Sequence, residues 1–163
     1  TASLITGQDI LQPADVSSFS TSNFDVITLW HVLEHIHDLE NILTEFSRLL
    51  SKNGILVIAV PNHLSYDASY YKENWAAYDV PRHLYHFNPS TIKILLKRFG
   101  FELKSIKPMW FDAYYVSLLS EKYTGRKMGF ILAFCVGFIS NLKAFLKPGT
   151  CSSQIYVFRK NIL

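Results

Sequence analysis

Two apolar runs with a helical pattern between them organise the first third of the chain. Residues 24–30 (FDVITLW) and 54–60 (GILVIAV) are apolar on both alternating faces and rich in β-branched residues, as is typical of strands covered by helices on both sides. Between them, apolar residues recur at helical spacing, with Asp38 at the predicted start of the helix and Asn53-Gly54 at its predicted end. The pattern predicts a strand–helix–strand unit whose two strands are parallel neighbours.

A polar and aromatic segment, residues 61–88, follows the second apolar run. It is too long for an ordinary connection in a compact domain, so we interpret it as an insertion. Its aromatic side chains suit a lid over an apolar or ring-containing small molecule, and they also suit a cap that packs over the sheet. The aromatic residues are Tyr66, Tyr70, Tyr71, Trp75, Tyr78, Tyr85 and Phe87.

The rest of the chain predicts three further helical segments and two strands. The Asn-Pro pair at 88–89 is typical of a helix start. Alternating apolar and polar residues predict a strand over about 101–109, with one face in water as at a sheet edge. Residues 113–146 look helical with a break near 124–125, and residues 153–160 (SQIYVFRK) predict a last strand.

The composition fits a single domain, residues 1–163, with a buried core. Hydrophobic residues make up 49% of the chain and charged residues 18%, which excludes a disordered or collagen-like chain. The net charge is only +3 and the basic residues are scattered, so we predict no nucleic-acid partner. The two cysteines match no metal spacing and no secretory signal pattern is visible, which predicts reduced thiols in a cytoplasmic protein. The chain begins at Thr1 without Met, so we expect a piece of a longer protein.

Residues 128–139 are apolar all round. These twelve residues fall short of the roughly 20 needed to span a bilayer, which favours a buried or interfacial helix over a transmembrane one. Four basic residues near the ends of this segment keep peripheral membrane contact open as an alternative. They are Arg126, Lys127, Lys143 and Lys147.

Several short motifs occur in the order in which they occur in one enzyme family. On these motifs the chain resembles the C-terminal two-thirds of a class I S-adenosylmethionine-dependent methyltransferase, and within that class the quinone-biosynthesis O-methyltransferase-like group. The resemblance covers about residues 7–107 and, more loosely, the last strand. The motifs are Phe24-Asp25-Val26-Ile27, Val32-Leu33-Glu34-His35, Leu49-Leu50, Asn53-Gly54, Val60-Pro61-Asn62, Pro81-Arg82-His83, His86-Phe87 and Gly100-Phe101.

The resemblance implies an α/β, Rossmann-like fold that lacks its N-terminal part. In the family the sheet has seven strands and is mostly parallel with an antiparallel last strand, and the four strands predicted here resemble the fourth to the seventh. The family's glycine-rich loop holds the cofactor closely, but the seven glycines of this chain contain no G-x-G. We therefore expect the chain alone to bind S-adenosylmethionine weakly or not at all. Because the missing strands leave a sheet edge uncovered, a homodimer through that edge is a further expectation.

The resemblance also places cofactor-binding residues. Asp9 and Ile10 resemble a turn whose acid accepts a hydrogen bond from the adenine amino group, although a simple turn or cap explains the same residues. Trp30 and His31 lie where the first strand ends, at the edge where open α/β sheets bind ligands. Trp30 matches a family position that contacts the cofactor, and packing against the next helix is the alternative.

Three residues after this strand raise the question of a metal. His31, Glu34 and His35 would share one helical face at i, i+3 and i+4, a spacing that can converge on a cation, with His83 as a distant fourth ligand. Some relatives have Glu-x-x-Glu-His here and bind a divalent ion, whereas a histidine at the first place favours a borderline metal or none. The alternative is that Glu34 and His35 hydrogen-bond the loop and position the substrate.

The resemblance implies methyl transfer to a small, hydrophobic or aromatic acceptor in the parent protein. Methylation of a hydroxyl needs a base with a pKa near neutral pH, and His35, His83 or His86 could serve. An intrinsically acidic acceptor would need only to be positioned. The alternative function is a membrane-peripheral or protein-binding module without catalysis.

Overall fold

The computed structural model describes Gly7, residues 13–126 and residues 129–161. The strands are β1 (Phe24–Trp30), β2 (Leu50–Pro61), β3 (Phe101–Pro108) and β4 (Ser153–Lys160). The α-helices are α1 (Leu39–Leu49), α2 (Tyr66–Tyr71), α3 (Pro89–Arg98), α4 (Asp112–Thr124) and α5 (Gly129–Leu146). Short 3₁₀ turns cover Pro13–Ser18, Leu33–His35, Lys72–Asn74 and Ala76–Tyr78.

The four strands form one sheet in the order β1-β2-β4-β3. Strands β1 and β2 are parallel, and β4 runs antiparallel to both β2 and β3. The predicted parallel strand–helix–strand unit, the antiparallel last strand and the position of β3 at a sheet edge are therefore confirmed. The fold is the expected α/β, Rossmann-like arrangement.

Helices α1 and α3 cover one face of the sheet and form the main core with it. Leu43 of α1 and Leu96 of α3 are fully buried against Ile58 of β2 and Phe158 of β4. Both helices begin as predicted, because the Asp38 carboxylate accepts a hydrogen bond from Asn41 N and Asn88 forms a capping box with the first turn of α3.

The prediction that β1 is covered on both sides is wrong. In the described part of the chain β1 is an edge strand, with Val26 52% exposed and Trp30 51% exposed. Leu29 on the other face is buried in the main core. Among the described residues, helices cover only one face of β1. Leu29 lies on that covered face, whereas Val26 and Trp30 lie on the other face and are half exposed. Pairing of this edge with a second copy stays a prediction.

The end predicted for α1 is also misplaced. The helix ends at Leu49 and β2 starts at Leu50, so Asn53 and Gly54 lie within the strand. Gly54 is needed there for space: a Cβ at this position would lie 2.9 Å from Leu50 Cδ2. The strand is irregular at this point, because its pairing with β1 shifts register between Leu50 and Ile55 and its pairing with β4 starts only at Ile55. Asn53 has a φ of 129°.

The insertion packs mainly as a cap rather than as a separate lid. Trp75 is 1% exposed and forms a second apolar cluster with Tyr71, Val116 of α4 and Val136 of α5. Buried Asp67 of α2 joins these elements. Its carboxyl oxygens accept hydrogen bonds from Trp75 Nε1, Ser140 Oγ and Ser152 Oγ, each at 2.7 Å.

Helix α5 is longer than the twelve-residue apolar segment suggested. It contains eighteen residues and is, by length and composition, the one described helix apolar enough to cross a membrane. Only 33% of it is buried inside the structure. Both cysteines are free, with Cys151 buried and Cys135 exposed on α5. The prediction of a break near residues 124–125 is confirmed, since Gly125 ends α4 in a left-handed conformation.

Candidate functional site

A pocket of about 420 Å³ lies where β1 and β2 end. The carboxyl ends of parallel strands are the edge at which open α/β sheets bind ligands. His31 after β1, Pro61 at the end of β2, the insertion and the first turns of α4 all contribute to its wall. The polar residues that line it are His31, Asp79, Arg82, His83, Asp112 and Ser153.

His31 is held between two carboxylates. Its Nε2 lies 3.1 Å from Asp112 Oδ2 and its Nδ1 lies 3.4 Å from Glu34 Oε1. The hydrogen bond to Asp112, followed by the interaction with Glu34, raises the pKa of His31 to about 9. Burial opposes ionisation of Asp112, but hydrogen bonding, chiefly to His31, outweighs it and lowers the pKa of that carboxyl. At neutral pH His31 is therefore a cationic partner of these two carboxylates and not a general base.

Glu34 is the buried acid of the site, with 1% of its surface exposed. Neither carboxyl oxygen meets a donor with good hydrogen-bond geometry in the described part of the chain. The nearest nitrogens are His31 Nδ1 at 3.4 Å and His83 Nε2 at 4.0 Å, both from Oε1. Burying a carboxyl group with so few direct partners costs free energy of folding. Buried and poorly paired acids of this kind are common in functional sites.

Backbone carbonyls orient the histidines predicted as catalytic. Nδ1 of His35 lies 3.0 Å from Arg82 O, and Nδ1 of His83 lies 2.8 Å from Ala77 O. Because a carbonyl oxygen only accepts, each Nδ1 donates, and Nε2 carries the lone pair in the neutral ring. His86 instead donates from Nε2 to Tyr78 O at 3.0 Å and does not line the pocket. Of these histidines, His83 alone presents its side chain to the pocket.

The predicted metal ligands come together only in part. Potential ligand atoms of Glu34, His35 and His83 lie within 4.8 Å of one another, but His31 is not in this group. The predicted shared helical face is wrong, because His31 has a φ of 52° and residues 33–35 form a 3₁₀ turn. The i, i+3, i+4 spacing therefore brings Glu34 to His31 by a turn, while His83 approaches from the insertion.

Of the four predicted cofactor residues, the structure describes Trp30 and His31. Asp9 and Ile10 fall outside the described residues. Trp30 is at the carboxyl end of β1, as predicted, but it does not line the pocket and its indole is half exposed. It is not buried against the following helix, so its surface is available to a ligand.

Asp112 and Asp79 are site residues that the sequence reasoning missed. Asp112 is the first residue of α4, a position where acids are common for capping reasons alone. Asp79 Oδ2 lies 3.9 Å from His83 Nε2 and its Oδ1 binds Arg82 at 2.6 Å. The one signal for it was its place just before the Pro-Arg-His motif.

Replacing His31 by Gln is expected to change the pH dependence of stability. The pKa is about 9 in the folded protein against 6.5 ordinarily, so the ion pair stabilises the fold fully below pH 6.5 and is lost as pH rises through 9. With a side chain 37% exposed, solvent screening reduces this contribution to about 1 kcal/mol. Urea titrations across this pH range should show the difference between wild type and variant disappearing in alkali. Exposed His37→Gln is the control, and a constant difference between wild type and His31→Gln would contradict the prediction.

Comparison with known proteins places this site in a family. A model of the methyltransferase domain matches residues 6–106, more than half of the chain. A search of curated proteins found no match. Among solved structures, a S-adenosylmethionine-dependent methyltransferase from Thermotoga maritima is 16% identical, with a TM-score of 0.56 over 87% of this chain and 58% of that one.

Two other solved structures show the same fold. A S-adenosylmethionine-dependent methyltransferase from Archaeoglobus fulgidus is 18% identical, with a TM-score of 0.54 over 90% of this chain and 64% of that one. Phosphoethanolamine N-methyltransferase 2 of Haemonchus contortus, crystallised with S-adenosyl-L-methionine, is 19% identical, with a TM-score of 0.50 over 88% and 35%. The chain thus spans between about a third and two-thirds of these three structures. With the family model matched over both parallel strands and the pocket histidines, the chain belongs to the methyltransferase domain family.

Proposed function

We propose that the protein transfers a methyl group from S-adenosylmethionine to a small, hydrophobic or aromatic acceptor held in the pocket beside His83. The observation that carries this proposal is the position of the pocket at the carboxyl ends of β1 and β2 within a methyltransferase domain. Tyr115, Leu119 and Tyr123 of α4 give it an apolar and aromatic wall, which supports a ring-containing acceptor. The resemblance to quinone O-methyltransferases supports a hydroxyl as the methylated group.

The described residues fit the acceptor side of such a site better than the cofactor side. They offer the exposed indole of Trp30 at the rim but no G-x-G loop, and the sequence has none. Asp9 and Ile10 stay proposed contacts for the adenine. We propose that a glycine-rich segment outside this chain completes the cofactor site. When bound, S-adenosylmethionine supplies the methyl group as an electrophile on sulfur.

His83 is the proposed general base. Its Nδ1 donates to Ala77 O, so Nε2 can accept the proton that an acceptor hydroxyl loses. Glu34 and Asp79, at 4.0 and 3.9 Å from Nε2, would stabilise the imidazolium that results. His31 is fixed by Asp112 and orients Glu34. In this arrangement His35 supports His83 by ring contact, since the two ring centroids are 4.6 Å apart.

A divalent cation is the second candidate role for the same residues. The Nδ1 donations of His35 and His83 to backbone carbonyls leave Nε2 atoms oriented as in metal-ligating histidines, and Glu34 adds a buried carboxyl group. Two imidazoles and one carboxylate suit zinc or another borderline ion better than magnesium. Such an ion would polarise the acceptor oxygen and replace the base.

Calorimetric titration with S-adenosylhomocysteine tests the proposed cofactor. We expect saturable binding by the full-length gene product and binding at least roughly tenfold weaker by residues 1–163, because the latter lack the loop whose backbone approaches the cofactor. A Trp30→Ala variant of the full-length product should bind more weakly, whereas Trp110→Ala, also partly exposed but lining a different pocket with Phe145 and Pro148, serves as its control. Absence of binding by the full-length product would refute the proposal.

A further inference from the structure

Helix α5 packs with its small side chains inward and its large apolar side chains outward. The residues it buries are Gly129, Ala133, Val136, Gly137, Ser140 and Ala144. Those it exposes, between 48% and 75%, include Phe130, Phe134, Phe138, Leu142, Phe145 and Leu146. Helices that pack in water usually have the opposite arrangement, because burial of large apolar side chains drives their association.

The small side chains of α5 pack closely against α4. This close packing turns the large apolar side chains of α5 outward. A Cβ on Gly137 would lie 2.8 Å from Tyr114 Cδ1 and 3.1 Å from Ala113 O of α4. A Cβ on Gly129 would lie 2.8 Å from Glu121 Cβ. Helices α4 and α5 therefore form a close hairpin, as small residues allow in membrane helices.

The outward face continues from α5 onto α4. Phe130, Ile131 and Phe134 of α5, together with Leu118 and Tyr114 of α4, line a groove of about 390 Å³. Phe111 and Tyr115, 87% and 63% exposed, extend the face toward the start of α4. A contiguous apolar surface of this kind marks an interaction site on a folded protein. We call it the apolar hairpin face.

The basic residues near the ends of the hairpin indicate which partner the apolar hairpin face binds. Lys122 and Arg126 lie near one end of the hairpin and Lys143 and Lys147 near the other, and residues 129–147 contain no acid. Glu121 of α4 pairs with Arg126 at 3.4 Å, Asp112 pairs with His31 at 3.1 Å, and Lys143 lies 3.9 Å over the Tyr66 ring. Lys122 and Lys147 have no acidic partner among the described residues, so they carry the positive charge of this face. A second copy would offer the same positive charge, whereas an anionic lipid surface offers the opposite one.

We propose that the apolar hairpin face docks on an anionic lipid bilayer, with α5 lying in the interface. The helix does not cross the bilayer, because its inner face is fixed to the domain by α4 and by the hydrogen bond from Ser140 Oγ to Asp67. Phenylalanine side chains enter the acyl boundary while the lysines contact headgroups. If the proposed function holds, the acceptor pocket, whose wall includes Tyr115 and Tyr123 of α4, would lie beside the membrane.

Vesicle co-sedimentation tests the docking without any assay of methylation. The full chain should be retained by vesicles of phosphatidylcholine and phosphatidylglycerol in equal parts, and less by phosphatidylcholine alone. Joint replacement of Phe130, Phe134 and Phe138 by Ser should weaken retention roughly tenfold or more. Ile94→Ser, at an equally exposed apolar position of α3, should change nothing.

A second variant keeps the apolar surface intact. Lys122→Gln combined with Lys147→Gln should lower retention by anionic vesicles roughly fivefold for each lysine, with unchanged circular dichroism. No retention of the wild type, or equal retention of the phenylalanine variant, would overturn the proposal. A dimer seen by light scattering without vesicle retention, and abolished by the phenylalanine variant, would assign the face to a second copy instead.

Discussion

Replacing Asp67 by Ala is expected to lower the free energy of unfolding by about 3 kcal/mol. Asp67 is fully buried, and its two carboxyl oxygens accept hydrogen bonds from Trp75, Ser140 and Ser152. These three donors come from the insertion, from α5 and from the segment before β4. Alanine leaves all three donors buried without an acceptor and opens space beside the indole. Urea titration followed by tryptophan fluorescence measures the loss.

Asp25→Ala is the matched control for this prediction. Asp25 is exposed on β1 and accepts one hydrogen bond, from Ser51 Oγ at 2.8 Å. Its replacement should change the free energy of unfolding by less than about 1 kcal/mol. Asp67→Asn, which keeps the shape and one acceptor oxygen, should fall between the two. Equal losses for Asp67→Ala and Asp25→Ala would show that the buried carboxyl group does not hold these elements together.

Replacing His83 by Gln in the full-length protein is expected to lower kcat for methyl transfer by roughly 100-fold to 10,000-fold. Gln can still donate to Ala77 O, but it cannot accept a proton near neutral pH. Affinity for S-adenosylhomocysteine should change by less than about twofold, because His83 faces the proposed acceptor pocket. Release of S-adenosylhomocysteine, with the acceptor that supports wild-type turnover, measures the effect.

His86→Gln is the control, because His86 also donates to a backbone carbonyl but does not line the pocket. Its kcat should stay within about threefold of the wild type. Titration with Co²⁺ distinguishes the two roles proposed for His83. Visible d–d absorption in the wild type that is lost in both His83→Gln and Glu34→Gln would assign His83 as a metal ligand. A larger loss of kcat in His86→Gln than in His83→Gln would contradict both roles.

Local signals in the sequence predicted the elements that local interactions define. The caps at Asp38 and Asn88 are made within one turn of each helix, so their residue types are sufficient to place them. The strand predicted over 153–160 matches β4 to the residue. By contrast, Asn53-Gly54 was predicted to end the helix, but these residues form an irregular stretch of β2 just before the regular pairing that starts at Ile55.

The sequence predicted which residues form much of the candidate site, but it did not predict how they contact one another. The sequence singled out His31, Glu34, His35 and His83, and the structure places all four around the strand ends. It did not indicate that Asp112 would bind His31, because that contact depends on how α4 returns to the sheet. Which nitrogens of the histidines carry a proton also depends on the groups that the tertiary structure brings next to them.

The sequence by itself determined the order of the four strands and the longer helices, two helix caps and the family, because hydrophobic period, capping chemistry and motif order are properties of neighbouring residues. It did not predict α2 within the insertion. Tertiary structure alone decided that β1 is a half-exposed edge and that Asp112 makes His31 an imidazolium. It also decided that α5 turns its phenylalanines outward. A helix that is apolar all round has no preferred face in its sequence, so only the partner that packs against it selects one.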